Sequence, residues 1–381
     1  MTRIAIIGAG LAGSSLTHWL IEYGFEGELT LFDAGDPMTA SVGPTLLCHP
    51  FPGRSLAPHP HLHQAVAATL ELLNDWKPLA PQLIRPTHMW RPLKGSNLKR
   101  LSQSHRDWWL KDGRHVDHNP WVDNPPTIET VKEIDIDTIP SFNTPYPALK
   151  TAPAFAIDAG ELLPIVHQRF EQNGVCIIRE SVDKINQLYG QWKIETSNTT
   201  RCFDQIVLAF GRQTKSWFPH LDITLQSGSL MKATPLQDTH VESLSLNGLH
   251  IGQHHDGDWV FGSTRWSSDQ PDINTEKQEL LEKLRYTLPF APTMKDNGAG
   301  IWSGTRTIYG SDRMPLCGEL PQHQNIFVLT ALGSKGWLWG PWTAKLLQMR
   351  LQNKREIDGW NVVDLMRANA EDGWYSPFIQ S

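Results

Sequence analysis

The chain has 381 residues, 40% hydrophobic and 19% charged, with a net charge of −6. That length and balance describe a globular protein of two or three domains. The negative charge excludes a general attraction to nucleic acid or anionic lipid, leaving only a local basic patch for such a role, and no uncharged apolar run reaches membrane-spanning length.

The first element is a dinucleotide motif. Residues 4–7 are the short apolar run of a buried parallel strand. Gly8, Gly10 and Gly13 follow at the spacing G-x-G-x-x-G, with Leu11 and Ala12 between them. The first glycine permits the tight turn, the second lets backbone approach a pyrophosphate, and the third lets helix pack on strand. The helix start then offers free N–H groups to phosphate. Asp33 ends a second predicted strand, about 20 residues on, where a carboxylate accepts ribose hydroxyls. A signal peptide would also begin with Arg3 and an apolar stretch, but Glu22, Glu26 and Glu28 exclude it.

From Ala34, residues 34–54 are rich in glycine and proline and read as a loop expected to touch the cofactor. Leu62, Ala65, Val66, Thr69, Leu70 and Leu73 recur at helical spacing and predict a helix over 60–76. His59, His61 and His63, broken by Pro60, fit no common metal spacing and read as the start of that helix. Residues 85–150, with Trp90, Trp108, Trp109 and Trp121, look like an inserted segment of short strands and loops. A helix over 157–174 stops at Asn-Gly. Strands follow over 175–178, 181–186 and 191–196, with a turn at Tyr189-Gly190. Residues 202–211 read as one buried strand carrying Ala209 and ending in Gly211.

Residues 220–275 read as antiparallel strands. His254-His255-Asp256-Gly257 is a hairpin turn by its Asp-Gly pair. Arg265 and Trp266 close the strand over 258–265, either at the surface or against a substrate. A helix spans 270–287, a strand 325–330 and a last helix 341–351, whose approach at 333–336 is a second helix start open to a ligand. Cys48, Cys176, Cys202 and Cys317 are scattered, so neither a disulfide framework nor a metal site is expected, and a reducing cytoplasm is the expected compartment. Sixteen tryptophans against six tyrosines point to packing, with some lining an apolar pocket.

These pieces, in order, resemble the FAD-dependent amine oxidases of the D-amino acid oxidase type, which include glycine and sarcosine oxidases. The resemblance rests on the N-terminal motif, Thr39-Ala-Ser41, the helix opening with Asp158, and the strand 206–211. Ser303-Gly-Thr-Arg-Thr, Asp312-Arg-Met-Pro-Leu-Cys-Gly318 and Leu332-Gly-Ser-Lys-Gly336 complete it. Within the family the chain also resembles the C-terminal oxidase module of the bifunctional enzyme that modifies wobble uridine in tRNA. It departs from the family at Val42, where glycine is usual, at Leu46, where a small residue is common, and at His49-Pro50, where that module has Tyr-Pro.

The resemblance implies an α/β fold with an α+β second domain. A discontinuous Rossmann-type domain from 1–84, 150–219 and 300–381 would hold non-covalent FAD, and an antiparallel substrate domain from 85–149 and 220–299 would interleave with it. Gly8, Gly10, Leu11, Ala12, Gly13, Asp33 and Ala34 would hold the ADP half, with Val182 at the adenine and Ala209, Gly211 and Gly304 lining the site. Ala40, Ser41 and His49 would run along the isoalloxazine, and Gly333, Ser334, Lys335 and Gly336 would approach its pyrimidine ring. Arg306 matches the family arginine that pairs with a substrate carboxylate; otherwise it is a structural ion pair. His49 orients the amine or is a hydrogen-bonded loop histidine. Lys335 is a flavin contact or a solvated lysine. Flavin attachment through Cys317 follows no family pattern. The implied partners are a small amine or amino acid and oxygen or another electron acceptor, with no nucleic acid unless the tRNA resemblance governs. A non-catalytic nucleotide binder is the other reading.

Overall fold

A computed structural model of the chain describes residues 1–50, 61–92, 127–131, 148–237, 240–246, 248–266, 272–288, 291–295, 300–310, 313–352, 356–357, 360–361, 374 and 376–380. In chain order these form β1 (Arg3–Ile7), α1 (Leu11–Glu22), β2 (Glu28–Phe32), β3 (Leu46–Cys48), α2 (Leu62–Trp76), β4 (Ile84–Pro92), β5 (Thr127–Val131) and β6 (Ala148–Ile157). Then come α3 (Ala159–Gln172), β7 (Cys176–Ile178), β8 (Val182–Leu188), β9 (Gln191–Thr196), β10 (Thr200–Phe203), β11 (Gln205–Leu208) and the short α4 (Thr214–Trp217). The rest is β12 (Ile223–Ala233), β13 (Ser243–Leu246), β14 (Leu249–Gln253), β15 (Trp259–Gly262), α5 (Ile273–Thr287), β16 (Gly300–Tyr309), β17 (Leu316–Leu320), β18 (His323–Thr330) and α6 (Gly336–Leu351), followed by short terminal strands. The tryptophans at 108, 109 and 121, His59, and residues 51–54 of the predicted loop lie outside the described residues.

The chain divides into two compact units. The first comprises Met1–Val42, Leu163–Ser227 and Gly304–Ser381; the second comprises Gly43–Leu162 and Gly228–Ser303. These boundaries differ from those read in the sequence: 43–84, 150–162 and 300–303 belong to the second unit, and 220–227 to the first. The reason is strand pairing, because β6 pairs with both β3 and β4 and draws all three into one sheet.

The first unit is built on the order β17-β18-β11-β1-β2-β7, parallel except for β17. Its central strands are the apolar runs noted above, and Ile4, Ala5 and Ile6 are fully buried. Residues 202–211 are two strands rather than one. Asp204 breaks the run by pairing its backbone N–H with Arg3 O, so β10 joins a small antiparallel sheet with β9 and β8 while β11 enters the main sheet beside β1. The turn at Tyr189-Gly190 takes the positive φ angles of a two-residue hairpin loop. The last helix begins at Gly336, not Pro341: the proline lies inside α6 and removes only the amide bond to the Trp337 carbonyl.

Tryptophan serves mainly as packing here. Trp19, Trp192, Trp217, Trp337, Trp339, Trp342 and Trp374 are all buried in the first unit. Trp19 on α1 donates its Nε1–H to Pro341 O on α6 at 2.8 Å. Trp19→Phe is expected to cost about 2 kcal/mol, from the lost bond and the vacated volume. Urea unfolding followed by far-UV signal checks this, and an unchanged midpoint would count against the tie.

The second unit carries the order β16-β12-β15-β14-β13-β4-β6-β3, with β5 also on β6. One face of it packs Trp90, Leu244, Ile251 and Phe261 against Leu280 and Leu284 of α5. Asp272 caps α5 by accepting the amides of Asn274 and Thr275. Of residues 85–150, read as short strands and loops, the described parts are most of β4, all of β5 and the start of β6, which runs on to Ile157. Strands β12 and β16 carry the chain from one unit into the other.

Candidate active site

In the first unit the dinucleotide motif leaves β1 as the spacing requires. Gly8 takes φ +111°, and a Cβ there would lie 2.4 Å from Ala209 O. A Cβ at Gly13 would lie 2.0 Å from Gly8 O, so strand, turn and helix meet with no room for side chains. Gly10 supplies no side-chain cap to α1. Leu11 N donates to Ser41 Oγ at 3.0 Å, and the amides of Ala12 and Gly13 have no intrahelical acceptor. Ser41 therefore ties the second predicted segment to the helix start. At the end of β2, Asp33 accepts the amide of Gly35 at 3.0 Å, and among the described residues no cation pairs with it. Ala34 beside it is exposed. Val182 stands where β8 loses register with β9, Ala209 N bonds Ile7 O, and Gly211 begins a turn at φ +51°.

The loop that carries Ala40 and Ser41 meets β16. Thr39 forms a bridge with Thr305, and Thr305 N donates to Met38 O at 2.9 Å. Thr305 Oγ1 is also 2.8 Å from Ser227 Oγ. Gly304 and Arg306 thus flank the point where β16 meets the loop, and Arg306 Nη2 donates to Gln226 Oε1 at 3.3 Å. Asp36, earlier in the same loop, takes a two-pronged bond from Arg212 at 2.6 and 3.0 Å. Burial alone would raise the Asp36 carboxyl, but the Arg212 bonds outweigh it and hold the group below its usual value. Thr39 and Thr305 lie within the quoted motifs but were given no role, and Ser227 and Gln226 were not singled out from sequence. Polar residues such as Ser227 and Gln226 on a strand are common in any sheet and carry no local signal.

The C-terminal segment reaches the same helix. Gly333, Ser334 and Lys335 form one 3₁₀ turn, and Gly336 opens α6. A Cβ at Gly336 would stand 3.6 Å from Leu11 Cδ2, and one at Gly340 the same distance from it. The two predicted helix starts, α1 and α6, therefore lie side by side.

In the second unit His49 follows the edge strand β3. It is buried, and among the described residues its Nδ1 has no hydrogen-bond partner. Burial first, then the nearby positive charges of Arg91 and His250, push its pKa down to about 3, so the ring is neutral. Burial also lowers the Arg91 guanidinium to about 10. The sequence marked Arg91 only by setting a cation beside Met89 and Trp90 in a strand. Arg265 and Trp266 do not end a strand, since β15 stops at Gly262. Arg265 is exposed, and Trp266 Nε1 donates to Ser229 Oγ at 3.4 Å. Cys317 lies inside β17 with its thiol directed to Thr343 O, and burial raises its pKa, which makes it a core residue. His254–Gly257 forms the expected turn, with Gly257 N bonded to His254 O.

The first unit's donor set fits an adenine dinucleotide: a glycine turn that admits no Cβ, open first-turn amides, and a terminal carboxylate free of cations. The family described as DAO, FAD dependent oxidoreductase, matches residues 3–350. Over 191 residues the chain is 26% identical to the tRNA 5-methylaminomethyl-2-thiouridine biosynthesis bifunctional protein MnmC of Marinobacter nauticus, a match covering 45% of this chain and 30% of that protein. Three solved structures share its fold. Iminodiacetate oxidase from Chelativorans sp. BNC1 has a TM-score of 0.74 at 16% identity, over 92% of this chain and 96% of its own. Glycine oxidase from Geobacillus kaustophilus has 0.74 at 16%, over 94% and 96%. L-Amino acid deaminase from Proteus vulgaris has 0.75 at 14%, over 94% and 95%. Among the described residues no helix is long and apolar enough to cross a membrane. With the family match running from β1 to α6, the chain belongs to the DAO family of FAD-dependent oxidoreductases, and FAD is its cofactor.

Proposed function

We propose that the protein oxidises the C–N bond of a carboxylate-bearing amine or amino acid. A hydride leaves the carbon next to nitrogen, water hydrolyses the resulting imine, and oxygen or another carrier takes the electrons. Bound FAD supplies the two-electron acceptor. The observation that carries the reading is the bridge between Thr39 and Thr305, which fastens the strand of Arg306 to the loop whose Ser41 meets the start of α1.

The roles follow from the groups present. Gly8, Gly10 and Gly13 with the open amides of α1 would hold the pyrophosphate, Asp33 the ribose, and the turn of Gly333 to Lys335 the flavin end. Arg306 would take the substrate carboxylate: a guanidinium is planar, always charged and able to bond both oxygens. In the second unit His49 is neutral, and among the described residues its Nδ1 has no partner, so that nitrogen is able to accept an N–H. The iminodiacetate and glycine oxidases of like fold carry names consistent with small carboxylated amines.

The test is anaerobic titration of the purified yellow protein with a panel of amino acids and N-alkyl glycines, following loss of visible flavin absorbance. Bleaching by a carboxylated amine is expected; bleaching by none of them would sink the reading. Arg306→Gln should cost about 2 kcal/mol of transition-state binding, roughly 30-fold in kcat/KM, for carboxylated substrates, and Arg306→Lys should not restore it. An equal loss on an uncharged amine would deny Arg306 its role.

The similarity to MnmC favours one second reading, oxidation of a carboxymethylaminomethyl group on tRNA uridine. It predicts tRNA binding that weakens steeply with salt. Absence of tRNA binding at low salt would exclude it.

A further inference from the structure

Ala9 stands between Gly8 and Gly10, and its carbonyl is tied to a side chain of α1. Ser14, near the start of that helix, donates its hydroxyl to Ala9 O at 3.1 Å and its amide to Gly10 O at 2.9 Å. A third element completes the arrangement. His167 on α3 brings its Nε2 to 2.9 Å from the same Ser14 Oγ, across 153 positions of sequence. Ser14 is fully buried and His167 partly so. Neither side chain belongs to the G-x-G-x-x-G motif.

Peptide geometry explains what this tie does. A trans peptide sends its C=O and the following N–H in opposite directions. Holding Ala9 O against the Ser14 hydroxyl therefore aims the Gly10 N–H away from Ser14. Holding Gly10 O against the Ser14 amide does the same for the Leu11 N–H, which meets Ser41 Oγ at 3.0 Å. A pyrophosphate at such a turn is held by backbone donors of this kind. Glycine has no side chain to fix its own peptide planes and samples many backbone angles, so the planes need fixing from outside.

Ser14 alone fixes them weakly. A helical serine can turn its hydroxyl to the carbonyl four residues back, which here is Gly10 O. Thr17 does this one turn later, donating to Gly13 O at 2.8 Å. The imidazole removes that freedom by giving the hydroxyl oxygen a second partner. Ser14 has one hydroxyl proton, and with that proton on Ala9 O the ring donates Nε2–H to Oγ, an arrangement open to the neutral and the charged imidazole alike. Asp33, the carboxylate placed for ribose, acts on the same ring. Burial lowers the His167 pKa, while the charge of Asp33 and the Ala9 carbonyl pull it the other way.

We propose that His167 is a positioning residue of the cofactor site: through Ser14 it sets the Ala9 carbonyl, and through that peptide the Gly10 N–H offered to the FAD pyrophosphate. The role depends on FAD alone and is independent of which amine is oxidised. No local pattern marks it, because α3 and the glycine turn come from distant parts of the chain.

Equilibrium dialysis of the FAD-loaded protein, with free flavin read by its fluorescence, tests this. His167→Leu keeps an apolar body in the space without a donor and is expected to weaken FAD binding by about tenfold. His167→Gln places an amide nitrogen at a similar reach and should restore affinity to within about threefold of the wild type. Ser14→Ala should weaken binding as much as His167→Leu. The double variant should be no weaker than either single one, because all of them break one chain of bonds. Thermal melts followed by far-UV signal verify that each variant folds. Wild-type affinity in His167→Leu or in Ser14→Ala, an equal loss in His167→Gln, or losses that add in the double variant would overturn the role.

Discussion

Replacing Arg85 with methionine is expected to destabilise the protein by about 3–5 kcal/mol at neutral pH. Arg85 holds both oxygens of Asp158 at 2.7 and 2.9 Å and also donates to the carbonyls of Gln82 and Gln253. Without it a fully buried carboxylate keeps, among the described residues, Thr45, His255 and the more distant His254. Burial alone would raise the Asp158 pKa, but the Arg85 and Thr45 bonds and the charge of Arg85 outweigh it and hold the group below its usual value. The sign of the pH dependence follows. A depressed folded-state pKa gives stability that is present above the ordinary carboxylate value of about 3.9 and is lost as pH falls towards the folded value. The gap between wild type and Arg85→Met should therefore be widest at neutral pH and narrow in acid. Thermal melts across pH 3–7 check it, and a gap that stays constant would mean that packing, not charge, is what Arg85 provides.

Gly8→Ala should yield a protein that holds no flavin. The native φ of +111° is strained for any side chain, and the new Cβ would sit 2.4 Å from Ala209 O and 2.9 Å from Phe210 Cα, both backbone atoms just past the end of β11. Strain of about 1–2 kcal/mol and overpacking of about 1–3 kcal/mol act together. Either relief moves the turn that opens α1, and with it the amides of Ala12 and Gly13. The visible spectrum of the purified variant, with and without added FAD, is the measurement. A yellow variant of wild-type affinity would show that the turn does not hold the cofactor. Gly13→Ala is a useful companion, because its clash with Gly8 O comes without a positive φ.

How much of this was legible depended on how local the signal was. The turn after β1, the carboxylate of Asp33 and the hairpins at 189–190 and 254–257 each rest on a few adjacent residues with a steric reason, and the structure places them where the pattern does. The break at Asp204 was not legible, since an aspartate between two apolar runs marks a boundary only when Arg3 O is there to bond its amide. The start of α6 differs from the sequence reading because proline favours a helix start, whereas the helix opens five residues earlier, at Gly336, and carries Pro341 inside it. Arg91 and the Asp158 cluster were missed for a common reason: their partners come from strands far away in sequence.

The interleaving of the two units bears on how the protein comes into being. β1 emerges first, yet its neighbour β11 and the next strand, β18, come from the second and third segments of the first unit. The nascent chain therefore spends most of its synthesis with an apolar strand that lacks half its sheet. Long-range parallel pairing of this kind is slow and exposes sticky edges. The second unit, closed within Gly43–Leu162 and Gly228–Ser303, completes its sequence earlier. No single cut releases either unit intact, so limited truncation from the C-terminus into β18 should send the chain to aggregates or chaperones rather than to a smaller folded enzyme.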